Sequence, residues 1–122
     1  MSRILLVEDD ETLSEMYFLK FDHDGHDIDR AIDGQIALDQ LKRIEYDLIL
    51  LDLMLPKVNG FVVLESLRNS NWPSQTKPVV IMSNLGQYTD IEKGKKLGAN
   101  EYFIKSEFLP NEIMERIKKY MK

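Results

Sequence analysis

Asp47-Leu-Ile-Leu-Leu-Asp52-Leu-Met-Leu-Pro56-Lys-Val-Asn-Gly60 is the stretch that decides how this chain folds. Leu48 to Leu51 form an unbroken apolar run that leads straight into one carboxylate. A run this short and this continuous reads as a strand buried on both faces, not as a helix. Asp52 then stands at the strand's carboxyl end, and Pro56 and Gly60 punctuate the loop behind it. In an open α/β sheet, ligands and chemistry gather at that rim. An aspartate placed there serves as a metal ligand, a nucleophile or both.

Working outward, Arg3-Ile-Leu-Leu-Val7 is a second buried strand, and it too ends in acid, Glu8-Asp9-Asp10. Leu13, Met16, Tyr17 and Phe21 mark a helix that starts at Asp10 and stops near Asp24-Gly25. Asp27-Ile-Asp-Arg-Ala31 alternates polar and apolar residues, as suits a charged edge strand. Ala37, Leu38 and Leu41 give the second helix its inner face, and Phe61, Leu64 and Leu67 the third. Residues 69–77, with Trp72, read as a polar loop that leaves the tryptophan on the surface. The fourth strand covers 78–83 and ends in Ser83, and a weaker helix over 89–97 is interrupted by Gly94. A glycine there costs about 1 kcal/mol relative to alanine. Glu101-Tyr-Phe-Ile104 runs into Lys105, and Pro110 opens a last helix with Ile113, Met114, Ile117 and Met121 inward. Strand and helix alternate five times, which predicts one α/β domain over 1–122, a parallel sheet with helices on both faces. Right-handed crossovers put every strand's carboxyl end on one rim.

Composition removes several function classes. A net charge of −5 argues against a general nucleic-acid or anionic-membrane binder. The absence of cysteine excludes disulfides, thiolate metal sites and a cysteine nucleophile. The amino terminus lacks a signal-peptide core, and no run approaches the ~20 apolar residues of a membrane span. The expected compartment is the cytoplasm. His23 and His26, three apart, suit a turn better than a metal site, because no second histidine pair or cysteine accompanies them.

Four strands deliver polar residues to the rim: Glu8 and Asp9, Asp52, Ser83, and Lys105. Two carboxylates ~4 Å apart repel by ~4 kcal/mol at an effective dielectric of 20, so three converging there need a compensating cation. Hard oxygen ligands beside water suit Mg²⁺. Carboxylate, cation, lysine and hydroxyl together can stabilise a phosphoryl group in transfer, with Asp52 accepting it as an acyl phosphate.

In these residues the chain resembles a response-regulator receiver domain, the phosphoacceptor half of two-component signalling. The matching stretches are Ile4-Leu-Leu-Val-Glu8-Asp9-Asp10, Ala31-Ile-Asp-Gly34, the stretch from Asp47 to Gly60, Val80-Ile-Met-Ser83, and Leu97-Gly-Ala-Asn-Glu-Tyr102-Phe-Ile-Lys105. The resemblance implies a flavodoxin-like, doubly wound sheet of order 2-1-3-4-5 with five helices, two on one face and three on the other. It makes Asp52 the residue phosphorylated from the phosphohistidine of a histidine kinase or phosphotransfer protein. It makes Asp9, Asp52 and the backbone carbonyl of Met54 ligands of Mg²⁺, with Glu8 holding the ion through water. Ser83, Lys105 and the amide of Asn84 would bind phosphoryl oxygens, and Tyr102 would be the aromatic switch. Signalling to a downstream protein would pass through the face of the fourth helix, fifth strand and fifth helix, as a monomer or a phosphorylation-induced dimer. Two departures stand out. Ser106 follows the lysine where the family has proline, which predicts a trans peptide bond in place of the family's cis bond. Asn84 occupies a position that is usually small.

A haloacid-dehalogenase-type phosphatase would carry a second acid where this chain has Met54, and a nucleotide binder would not place Glu8-Asp9-Asp10 after its first strand. The remaining alternative is a receiver-fold binding module that acts without phosphorylation. No residues follow the last helix for an output domain, which fits either a stand-alone receiver or a piece of a larger regulator.

Overall fold

The computed structural model describes residues 2–121. In chain order the elements are β1 (Arg3–Val7), α1 (Glu11–His23), β2 (Asp27–Ala31), α2 (Gly34–Arg43), β3 (Leu48–Leu51) and α3 (Gly60–Arg68). They continue with β4 (Val79–Ser83), α4 (Tyr88–Lys96), β5 (Glu101–Ile104) and α5 (Pro110–Ile117), with single 3₁₀ turns over Lys105–Glu107 and Lys118–Tyr120. The strands are all parallel, in the order β2-β1-β3-β4-β5. Among the described residues no helix is long and apolar enough to cross a membrane.

Three helices start as their capping residues dictate. The side chains of Asp10, Asp33 and Asn59 accept the amides of Leu13, Ile36 and Val62, satisfying donors the helices cannot. Pro110 opens α5, where Glu112 accepts the Leu109 amide at 2.8 Å. By contrast, α4 begins after Gln87 with no side-chain cap.

Strand period two divides the core between two faces. Leu5 and Val7, Ile49 and Leu51, and Val79 and Ile81 pack under α2 and α3, with Leu97 and Tyr102 alongside. Ile4 and Leu6, Leu48 and Leu50, Val80 and Met82, and Phe103 pack under Tyr17 and Phe21 of α1 and Ile113 and Ile117 of α5. The two-and-three division of helices therefore follows from parity. One sequence expectation is corrected here. Trp72 is half-buried against the first core cluster, because the Ser70 hydroxyl accepts its amide and turns the loop back onto the domain. Met54, unlike the other described methionines, projects outward and is 57% exposed.

The loop after Asp52 is clamped by two close approaches. A Cβ on Gly34 would lie 1.8 Å from the carbonyl oxygen of Val58, and one on Gly60 would lie 2.2 Å from that of Asp52. Between them Lys57 sits at φ 68°, with the Val58 amide donating to the Pro56 carbonyl at 2.8 Å. That is a γ-turn with a side chain in its strained form. Lys57→Gly should therefore raise stability by up to about 1 kcal/mol, the relief of left-handed strain exceeding the added unfolded-state entropy. The Lys57 ammonium lies 3.8 Å from Asp33 and is 69% exposed, so losing it costs little. A lower urea midpoint in the variant would contradict this account.

Arg68 closes the opposite end of the domain. Its guanidinium donates to the carbonyls of Gly98, Gln75 and Lys77 and to the Asn100 side chain, at 2.7 to 3.2 Å. Asn100 Oδ1 in turn accepts the Val79 amide at 3.0 Å, so α3, the start of β4 and the approach to β5 share one fastening.

Candidate functional site

The parity that sorts the core also assembles the rim. Ile4, Leu6 and Glu8 share one side of the sheet, as do Leu48, Leu50 and Asp52, and Phe103 and Lys105. The register pairs Val7 with Leu51, and the ladder runs one residue further: the Glu8 amide donates to Ala31 and the Asp52 amide to Val7, each at 3.0 Å. Glu8 and Asp52 thus leave adjacent strands side by side. Lys105 reaches them from the 3₁₀ turn after β5, its Nζ 2.5 Å from Glu8 Oε1 and 2.9 Å from Asp52 Oδ2. All three are sheltered, Glu8 at 1% and Asp52 at 5% exposure.

Burial sets the electrostatics of the group. Desolvation pushes the Glu8 carboxyl up to about 7; the hydrogen bond and charge of Lys105 oppose this, and the charge of Asp52 adds to it. Burial works against the Lys105 ammonium, but its bonds and charge interactions with Glu8 and Asp52 outweigh that and raise it. The compensating cation that the sequence requires is, in the protein alone, Lys105 itself. Glu8 is further held by the Asp10 amide, which donates to Oε2 at 3.1 Å.

Asp9 lies on the exposed side of this pair, and oxygens of Glu8, Asp9 and Asp52 all fall within 4.8 Å of one another. Carboxylates from three residues, one of them open to water, are a donor set suited to a hard divalent cation such as Mg²⁺. The residues present fit such an ion. Met54 contributes its amide, which donates to Asp52 Oδ1 at 3.3 Å.

Ser83 belongs to the other parity, with Val79 and Ile81, so it meets the rim from the α2–α4 side. It is fully buried, and its hydroxyl accepts the Leu85 amide at 3.3 Å. Tyr102, paired in register with Ile81, shares that side; its hydroxyl donates to the Leu85 carbonyl. Burial, with lesser contributions from Asp90 and Asp52, pushes that phenol up to about 12, which keeps it a donor. Leu85, to which the sequence reading assigned no hydrogen-bonding part, links the two through its own amide and carbonyl. Asn84 is exposed on the same loop. Among the described residues no cis peptide bond occurs, so Lys105–Ser106 is trans as expected, and the 3₁₀ turn carries the chain toward Pro110.

The surroundings of the site are apolar. An open depression of about 590 Å³ adjoins Asp9, walled by Met54, Leu55, Pro56, Phe61 and Leu85. A groove of about 430 Å³ passes Lys105 between Leu13 and Tyr17 of α1 and Phe108, Leu109 and Pro110.

Acids following two central strands, a lysine after the fifth and a buried hydroxyl ending the fourth define a class of protein, and comparison with known proteins agrees. The family model for the response regulator receiver domain matches residues 4–118. This chain belongs to that family. Among curated relatives, the response regulator ArlR of Staphylococcus saprophyticus is 36% identical over 118 residues, covering 97% of this chain and 51% of its own length. ArlR of Staphylococcus aureus is 35% identical over the same length. The chain thus spans about half the length of these relatives. Among solved structures, the receiver domain of a Francisella response regulator superposes with a TM-score of 0.88 at 30% identity, covering 98% of this chain and 96% of that one. The Thermotoga maritima response regulator TrrA, solved in complex with Mg²⁺ and BeF, superposes with a TM-score of 0.83 at 28% identity, covering 99% of this chain and all of that one.

Proposed function

We propose that this receiver domain is a phosphorylation-dependent signalling switch whose phosphoacceptor is Asp52. The observation that carries the reading is the contact of Asp52 with Lys105 inside the acidic group of Glu8 and Asp9. A carboxylate oxygen of Asp52 attacks the phosphorus of a phosphohistidine on a histidine kinase or phosphotransfer protein. The N–P bond breaks, the imidazole nitrogen keeps the electron pair, and an acyl phosphate forms. Lys105, fixed 2.9 Å from the nucleophile, offsets negative charge on the phosphoryl oxygens, and the Ser83 hydroxyl and Asn84 amide complete their binding. Glu8, Asp9, Asp52 and the Met54 carbonyl would hold Mg²⁺, which supplies further charge neutralisation during transfer. The domain assists its own modification without turning over an external substrate. Exposed Ile32, Met54 and Leu109 on the rim loops support docking of a protein donor in the cytoplasm. Output to a downstream protein uses the α4, β5 and α5 face, as a monomer or a dimer formed on phosphorylation.

Incubation with acetyl phosphate and Mg²⁺ tests the reading. Intact mass should increase by a single phosphoryl group, and no increase under any Mg²⁺ concentration would overturn it.

Lifetime of the modified state follows from the walls of the site. Met54 and Leu85, two residues beyond Asp52 and Ser83, are apolar and cannot hydrogen-bond an attacking water. Leu85→Glu should speed loss of the phosphoryl group on the order of tenfold, short of the ~10²–10⁴ of a full general base. Slower loss in the variant, followed by mass spectrometry after removal of the donor, would refute this.

A further inference from the structure

Of all the residues of α4, only Gly94 is buried, in a helix that also lacks a side-chain cap. Its position is not an accident of a weak helix. A Cβ at residue 94 would lie 2.8 Å from Ile81 Cδ1 and 3.2 and 3.4 Å from Tyr102 Cδ2 and Cε2. The Tyr102 ring therefore occupies space that exists because α4 has no side chain there. In the loop before this helix, a Cβ on Gly86 would lie 3.2 Å from Ile104 Cδ1, so that loop also rests closely on β5. The ring's hydroxyl ends on the Leu85 carbonyl, and the Leu85 amide ends on Ser83 Oγ.

We infer that Gly94 is a positioning residue for Tyr102: the notch it leaves under α4 seats the ring inward in the unmodified protein, before any phosphoryl group reaches Asp52. The seat is built by packing on the α4 side, and the hydrogen bonds through Leu85 join it to the buried serine. Loss of the notch unseats the ring and, with it, the attachment of α4 to β5. This deepens the proposed function, since it rests on the reading that the α4 face reports on Asp52. It sets the resting state of that face close to its signalling arrangement, so that phosphorylation tightens the Ser83–Leu85 segment rather than drawing the ring in from solvent.

The test uses 3-fluorotyrosine incorporated into the full chain and read by ¹⁹F NMR, with Tyr102→Phe assigning one of the five tyrosines. Tyr88, 72% exposed, serves as the internal solvent-facing standard. In the unmodified wild type, Tyr102 should be protected from a soluble paramagnet severalfold relative to Tyr88 and should shift little on adding beryllofluoride with Mg²⁺. Gly94→Ala should lose that protection while accepting a phosphoryl group from acetyl phosphate to the wild-type extent. In a Tyr102→Ala background the same Gly94→Ala change should raise the melting temperature, although alone it lowers it, because the methyl then fills the vacated space. A Tyr102 ring as exposed as Tyr88 in the unmodified wild type overturns the inference, as does Gly94→Ala that leaves the ring protected. Absence of acetyl-phosphate labelling in wild type would sink the phosphoacceptor reading alone, because the ring's position is measured without it.

Discussion

Asp52→Asn is expected to abolish phosphoryl acceptance while leaving the fold intact. The amide oxygen of asparagine retains the size of the carboxylate oxygen and can still accept from the Met54 amide or Lys105, which the Asp52 side chain meets. What it loses is the anionic oxygen that attacks phosphorus. The charge change does not harm the folded state, because Lys105 keeps its 2.5 Å contact with Glu8, and Glu8 is relieved of the repulsion from Asp52 that helps hold its carboxyl up. Intact-mass measurement with acetyl phosphate and Mg²⁺ should show one added phosphoryl on wild type and none on the variant, with overlapping circular dichroism spectra. Undiminished labelling of the variant would move the acceptor elsewhere. Labelling of wild type with loss of folding in the variant would make the asparagine uninformative, and Asp52→Glu, which keeps the charge, would then decide between the two.

Most of the site is legible in the sequence because strand parity is legible. Once Leu48 to Leu51 are taken as a doubly buried strand, Asp52 has one place to be, and Ile4 to Val7 put Glu8 beside it by the same alternation. Parity also separates Ser83 and Tyr102 from the acids and Lys105, a division the residues carry from the start. Other features escape because they depend on what the chain meets in space. Gly94 reads as a flaw in a helix, and only the Tyr102 ring beneath it makes it a fitted surface. Arg68 stands at the end of a helix, and no pattern announces the carbonyls of Gln75, Lys77 and Gly98, from two separate segments, converging on it. Trp72 follows a polar run and was expected at the surface, yet its loop folds back far enough to pack it partly against the core. The Lys57 turn is hidden as well, since a lysine gives no sign that the backbone under it is left-handed.

The metal-free protein should lose stability as pH rises from about 4.5 to 7, and Mg²⁺ should restore it. The cause is Glu8, whose carboxyl is raised from 4.5 to about 7 by burial, against the pull of Lys105. Between those values the folded protein keeps a proton that the unfolded chain has released, so stability falls with rising pH and levels off above 7. At 1.36 kcal/mol per pH unit the full effect is about 3 kcal/mol, or roughly 10 °C in melting temperature for a domain of this size. Glu101, bonded to Lys119, works in the opposite direction, since its carboxyl is held low. Solvent screens that pair through the exposed Lys119, and a lowered carboxyl acts below pH 4.5, so Glu8 decides the slope above it. Glu8→Gln should flatten the curve between pH 4.5 and 7. A divalent cation among Glu8, Asp9 and Asp52 favours the ionised acids, so millimolar Mg²⁺ should raise the melting temperature more at pH 8 than at pH 5.5. Asp9→Ala should remove most of that rise, because Asp9 is the solvent-facing member of the three. Equal midpoints in Mg²⁺ and EDTA at pH 8 would show that Lys105 alone satisfies the acidic cluster.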